Sequence, residues 1–196
     1  MIALLLDSSN ANLSVGLAKD HVLVDFVHYE AWQRQSELMV NEIKNLLDRN
    51  HLTRKDLDEI VSARGPGSYT GVRIALTIAK VMSSALGIPL YLVSSLEAMK
   101  DGAKPSVCVT NARSKRSYVA VYEGDKVIIP DTIWTNDEVK AYLADHPEFV
   151  LCGEGTHLGY ELPERNPLLV LKDCDDAAHR CLNPLGAKPV YLKDNG

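Results

Sequence analysis

Two short stretches hold residue types spaced for chemistry. Arg64-Gly65-Pro66-Gly67-Ser68-Tyr69-Thr70-Gly71-Val72-Arg73 sets three glycines, a proline and three hydroxyl groups side by side. Glycine lets the backbone take positive φ and lets another group come close, and the free N–H groups of a new helix attract an anion. On that reading Gly65, Gly67, Ser68, Thr70 and Gly71 cradle a phosphate. A sharp strand-to-helix connection that binds nothing uses the same residues. Asp7-Ser8-Ser9 offers a carboxylate and two hydroxyls suited to a phosphate or a metal-bound nucleotide. Turns also use these residue types to hydrogen-bond their own backbone. Cys174, His179 and Cys181 form a looser group without a CxxC unit, so no metal site is expected there. Cys108 and Cys152 complete an irregular set of four that fits reduced thiols better than a disulfide framework.

The elements that must position these residues follow from periodicity and punctuation. Residues 2–6 read as a buried strand; with 14–18 and 21–29 they make a three-strand antiparallel meander. Ser36 is the expected cap of a helix carrying Met39, Val40, Ile43, Leu46 and Leu47 at helical spacing and ending near Asn50. Thr53 opens a short helical turn, and strand 59–63 leads into the glycine loop. Thr70 is the expected cap of a helix that runs to Leu86 and stops at Gly87-Ile88-Pro89. Strand 90–93 and a serine-capped helix fading at Asp101-Gly102 finish the first lobe, 1–103. The second lobe, 104–196, begins with strands 107–110, 118–122 and 127–129, the first two separated by a turn at 111–115. A helix capped by Asn136 and strand 149–152 follow, then a short strand 168–171, a short helix 175–182 and an extended docking tail 189–193. Both halves open with a meander and go on to helix and strand, the pattern of a duplicated α/β unit.

Composition excludes several classes. At 46% hydrophobic residues the chain can fill a core, and a net charge of −5 without a Lys or Arg run leaves no self-sufficient nucleic-acid surface. Any RNA is then held by a partner. The apolar start stops at Asp7 and lacks a basic leader, and no stretch reaches the roughly 20 apolar residues of a membrane span, so the expected location is cytoplasmic. In helix 70–86 the apolar positions cover roughly 220° of arc, about twice what one sheet face requires. Gly71, Ala75, Ala79 and Ser83 form a low ridge along one edge. The helix is therefore expected to meet its own sheet plus a second helix, from this chain or from another protein.

Asp7-Ser8-Ser9, the Gly65–Arg73 loop, Asn111-Ala112-Arg113 and the ending Pro189-Val190-Tyr191-Leu192-Lys193 together resemble the bacterial tRNA threonylcarbamoyladenosine biosynthesis family TsaB, also called YeaZ. The resemblance implies an α/β actin-like ATPase fold (sugar kinase, Hsp70, actin; ribonuclease H-like) with two lobes of related topology. It implies a non-catalytic dimerization subunit that binds and activates TsaD, with TsaE as a further partner, tRNA reached only through the complex, and a homodimer when alone. In the family, helices matching 36–50 and 70–86 form a bundle with the same pair of TsaD or of a second copy. The implied interface is Gln35, Met39, Ile43, Val72, Ile74, Ala75, Ile78, Ala79 and Met82. Asp7, Ser8, Ser9, Gly65, Gly67, Ser68, Thr70 and Gly71 become a vestigial nucleotide site, and the chain carries no cofactor of its own, with ATP or ADP at the interface of the complex. TsaD follows its glycine loop with an HxxxH metal pair; the matching Val93-Ser94-Ser95-Leu96-Glu97-Ala98-Met99 holds no histidine. No catalytic residue or metal is implied, which argues against a metallopeptidase. Gln35 stands where relatives carry His, Asn111 where they carry Asp and Arg116 where they carry Glu. The chain is also short for the family, so a trimmed second lobe is expected. The alternative is a small-molecule kinase or ATPase of the same fold, with Asp7 positioning a metal-bound phosphate.

Overall fold

A computed structural model describes residues 1–192. The first sheet starts with β1 (Ile2–Asp7), β2 (Asn12–Lys19) and β3 (Val22–Glu30), an antiparallel meander as expected. Helix α1 (Gln35–Arg49) crosses to β4 (Glu59–Ala63), and α2 (Tyr69–Leu86) crosses to β5 (Leu90–Val93). β1, β4 and β5 run parallel, the arrangement that helical crossovers produce. Side chains alternate across β1, so both faces of the sheet are covered. Leu4 and Leu6 meet Met39, Ile43, Ala75 and Ala79 of the two helices, while Ala3 and Leu5 meet Leu168 and Leu171 on the opposite face.

The second sheet repeats this plan. It holds β6 (Ser106–Arg113), β7 (Arg116–Glu123), β8 (Lys126–Thr135) and β9 (Val150–Gly153), with α3 (Asn136–Asp145) crossing from β8 to β9. Its order β8-β7-β6-β9, with only β6 and β9 parallel, reproduces β3-β2-β1-β4 of the first sheet. Leu96 and Met99, in the turn after β5, pack with Cys108, Ala120, Tyr122 and Cys152 and join the halves. Polar links across the same seam run from Ser94 Oγ to Asp131 at 2.8 Å and from Arg165 to Asp101 at 2.8 Å. Among the described residues, no helix is long and apolar enough to cross a membrane.

Several local expectations are corrected. α1 starts at Gln35 behind Arg34 with no side-chain cap, so Ser36 lies inside the first turn. Ser68, not Thr70, caps α2 by accepting from the Gly71 N–H at 3.3 Å. Thr135, not Asn136, caps α3 through a reciprocal capping box with Glu138. The serine-led segment after β5 forms one 3-10 turn, Glu97–Met99, because Ser94 Oγ turns back to the Leu96 N–H. The second meander's strands are longer than expected: β6 reaches Arg113, and Arg113, Ser114 and Lys115 make the tight turn at φ 64°, 51° and 58°.

Residues 168–171 are helical (α4, Leu168–Leu171) instead of extended, with Asn166 Oδ1 accepting from the Leu168 N–H. The expected helix over 175–182 is replaced by a turn around Asp176 and a short strand, β10 (Arg180–Cys181), paired antiparallel with β5. From α4 onward the chain thus packs on the first sheet rather than on the second, unlike the expected division at 103/104. The tail does run extended: Val190 N–H donates to Arg64 C=O at 2.8 Å, and Tyr191 stacks on Tyr69 at 5.1 Å. Lys193, the last residue of the expected docking segment, lies outside the described residues.

Candidate functional site

The β1–β2 turn, the start of α2 and the β6–β7 end of the second sheet face one another across a cleft of about 710 Å³. The first lobe contributes Ser9, Gly67, Ser68, Thr70 and Gly71; the second contributes Thr110, Asn111, Arg113 and Glu154. The glycine loop and the Asp7 turn meet, and what each closely approaches is the other. A Cβ on Gly67 would stand 2.3 Å from Ser9 O, and one on Gly71 would stand 2.0 Å from Ser8 O. Ser68 N–H donates to Ser9 C=O at 2.7 Å, and Ser8 Oγ donates to Gly71 C=O at 2.7 Å. Gly65, at φ +98°, is turned away from the cleft and sits against Val190 O of the tail. Close backbone approach is what the glycines supply, and the approaching group is the chain itself.

Asp7 and Ser8 lie beneath the cleft wall and are buried. Burial pushes the Asp7 carboxyl above its usual range, opposed by the N–H of Ser9, which donates to Oδ1 at 2.7 Å. Glu154 is likewise raised by burial, opposed by the Asn111 N–H at 3.1 Å. The carboxylate expected to hold a metal-bound phosphate is thus engaged by its own turn. These residues do not fit a self-sufficient phosphate cradle. Glu154 escaped sequence reading, although its place between Gly153 and Gly155 at a strand end marked a close turn. Trp32, exposed beside the cleft, gave no signal at all, and Tyr69, also exposed there, was visible only as one hydroxyl of the glycine stretch.

The nine expected interface residues divide sharply. Gln35, Met39, Ile43, Val72, Ala75 and Ala79 are buried inside this chain, and Gln35 Nε2 donates to Asn10 C=O at 3.1 Å. They can shape a docking face only from behind. The low ridge is consumed internally too, because Gly71 meets Ser8 and Ser83 Oγ donates to Ile88 C=O at 2.7 Å. Ile74, Ile78 and Met82 are only half-buried, and Val81 is 56% exposed. Ile74, Ile78, Val81 and Ala85 recur at four, three and four residues, so they form one outward stripe along α2. Apart from Val40, the solvent-facing side of α1 is polar.

A duplicated sheet–helix unit around an interlobe cleft defines a protein of the actin-like ATPase fold, with two lobes of related topology. The solved structure described as YeaZ from Pseudomonas aeruginosa shares this fold at a TM-score of 0.82 and 23% identity, covering 97% of this chain and 99% of that one. The model of the family described as "TsaD: tRNA N6-adenosine threonylcarbamoyltransferase" matches residues 27–153, and the chain belongs to that family. Within it, the chain is similar to the tRNA threonylcarbamoyladenosine biosynthesis protein TsaB of Bacillus subtilis (strain 168), 39% identical over 100 residues that cover 50% of this chain and 43% of that protein. It is also similar to TsaB of Escherichia coli (strain K12), 29% identical over 157 residues, 76% of this chain and 64% of that one. In both alignments the chain spans less than two thirds of the relative's length.

Proposed function

We propose that this protein serves tRNA threonylcarbamoyladenosine biosynthesis as a non-catalytic subunit that binds TsaD through the outward stripe of α2 and holds it in an active state. The observation that carries the reading is the stripe itself. Val81 and Ala85 are exposed, and Ile74 and Ile78 pack one side on the core while keeping part of their surface outside, so an apolar strip of α2 stays accessible after the sheet and α1 have taken the rest. A face with this spacing suits a second helix packed alongside, and burying it there stabilises the contact by roughly 25 cal/mol per Å² of apolar area. The relatives named TsaB support the pathway. The absence of histidine from 93–99 supports the accessory role. ATP or ADP enters this reading only as a ligand completed by the partner, since Asp7 is held by its own turn and the glycine loop by Ser8 and Ser9. TsaE joins the same complex, tRNA is reached through TsaD, and a second copy of this chain takes the face when TsaD is absent.

Reconstitution tests the role. Purified TsaD with its remaining partners, ATP and threonylcarbamoyl-adenylate precursors should modify N6 of the tRNA adenosine only when this chain is added. Equal modification without it removes the proposal.

A further inference from the structure

The return segment after α4 carries a cluster that the cleft and the docking face leave unused. A carboxylate oxygen of Glu97, the sulfur of Cys174 and a ring nitrogen of His179 all lie within 4.8 Å of one another. They arrive from separate places: Glu97 from the turn after β5, Cys174 from just beyond α4, and His179 from the residue before β10. Cys181, which the sequence grouped with Cys174 and His179, lies on β10 opposite Leu90 of β5 and is not in the cluster.

The orientations suit a ligand set. His179 Nε2 faces Glu97 Oε2 at 3.1 Å, while His179 Nδ1 faces Asp176 Oδ1 at 3.0 Å. One ring nitrogen is thus available for a metal, with the other oriented by a carboxylate, the usual support of a metal-bound imidazole. Glu97 divides its oxygens in the same way, because Oε1 lies 3.5 Å from Lys100 Nζ, itself 3.2 Å from Asp125. Cys174 is buried, and its thiol donates to Val170 C=O at 3.3 Å. In tetrahedral zinc sites, bonds of about 2.0 Å to N or O and about 2.3 Å to S set ligand atoms roughly 3.3–3.8 Å apart. The His179–Glu97 pair already stands near that spacing, and the separations to Cys174 Sγ, at most 4.8 Å, need to contract by no more than about 1.3 Å.

We propose that Glu97 Oε2, Cys174 Sγ and His179 Nε2 bind one zinc-class divalent ion, with water as fourth ligand, pinning the return segment to the end of β5. The mixed sulfur, imidazole and carboxylate donors favour such an ion over magnesium or calcium, which take oxygen ligands. On binding, the Cys174 S–H bond and the Nε2–H bond of the protonated His179 ring break, both protons pass to solvent, and sulfur–metal and nitrogen–metal bonds form in their place. His179 binds as the neutral ring with its Nδ1–H held by Asp176, and no electron is transferred. Without metal, the same side chains form an ion pair in which Glu97 draws the His179 pKa upward.

Cobalt titration of the reduced, metal-stripped full chain separates these states. One equivalent of Co²⁺ should produce a thiolate-to-cobalt charge-transfer band that Zn²⁺ displaces. Cys174→Ser should abolish the band, Cys181→Ser should keep it, and Asp176→Asn should weaken affinity roughly tenfold to a hundredfold. Far-UV circular dichroism checks that each variant is folded, and the wild-type titration decides the first point without any variant. A wild-type chain with no band at excess cobalt, or a band that survives Cys174→Ser, overturns the site.

Discussion

Among the described glycines Gly71 has the least room for a side chain, and its neighbour is backbone. A methyl there would meet Ser8 O at 2.0 Å, so Gly71→Ala must push the β1–β2 turn off the start of α2. It should cost roughly 1–3 kcal/mol in urea denaturation, the range for overpacking. Gly102→Ala, with nothing within 4 Å of the added carbon, should stay close to wild type. Asp7 makes a second residue-scale case. Burial raises its folded pKa above the unfolded 3.8, so the folded state binds the proton more tightly. The contribution of Asp7 to stability is therefore fully present below 3.8 and is lost as pH rises from there through the folded value. Asp7→Asn keeps an oxygen for the Ser9 N–H and removes this loss. The variant's melting temperature should gain on wild type as pH climbs from 3 toward 7. A variant that instead falls behind at neutral pH would show that the ionised carboxylate is held by something other than its own turn. The residue types at both positions were legible in the sequence, but which partner they served was not. Residue type records that something approaches a glycine closely; only the three-dimensional path shows that Ser8 and Ser9 do so.

Caps and termini carry the next scale. Ser68→Ala should lower stability by about 1 kcal/mol through loss of the bond to the Gly71 N–H, whereas Thr70→Ala should be nearly silent in the same thermal melts. The elements with long periodic patterns were readable: α1, α2 and the first meander stand close to where apolar spacing puts them. Short segments were not. Leu168-Leu169-Val170-Leu171 is an apolar run of four, too short for periodicity to separate strand from helix, and Asn166 tips it toward helix by taking the Leu168 N–H. Cys181 becomes part of a strand because Leu90 lies beside it, a neighbour that local sequence cannot supply. The broad apolar arc of α2 was legible as more than one contact, yet the assignment of its edges was not. The small-residue edge fits inside because Gly71, Ala75 and Ala79 let the chain's own elements close on it. That packing leaves Val81 exposed and the bulkier Ile74 and Ile78 half-buried at the edge of the core.

At the scale of the whole molecule, two similar lobes are joined through Leu96, Met99 and the Ser94–Asp131 bond, the glycine loop is tied to the Asp7 turn within the first lobe, and the C-terminal return segment is strapped back onto the first sheet. This rigid arrangement fixes the direction of α2, and the open stripe on that helix is where a partner is expected. The location of the stripe gives the partner claim a sharp form, because Ile78 is half-buried while its neighbour Ala79 is fully buried. A charge at Ala79 would be stranded in the core and would unfold the chain, whereas a charge at Ile78 should leave the fold intact and strike only the complex. The most direct measurement is sedimentation velocity of this chain mixed with TsaD at micromolar concentration, alongside the folded Ile78→Glu variant. A one-to-one complex with wild type that dissociates for Ile78→Glu is the predicted result. Separate boundaries for the wild-type mixture, or a complex that is indifferent to the charge at Ile78, would contradict it.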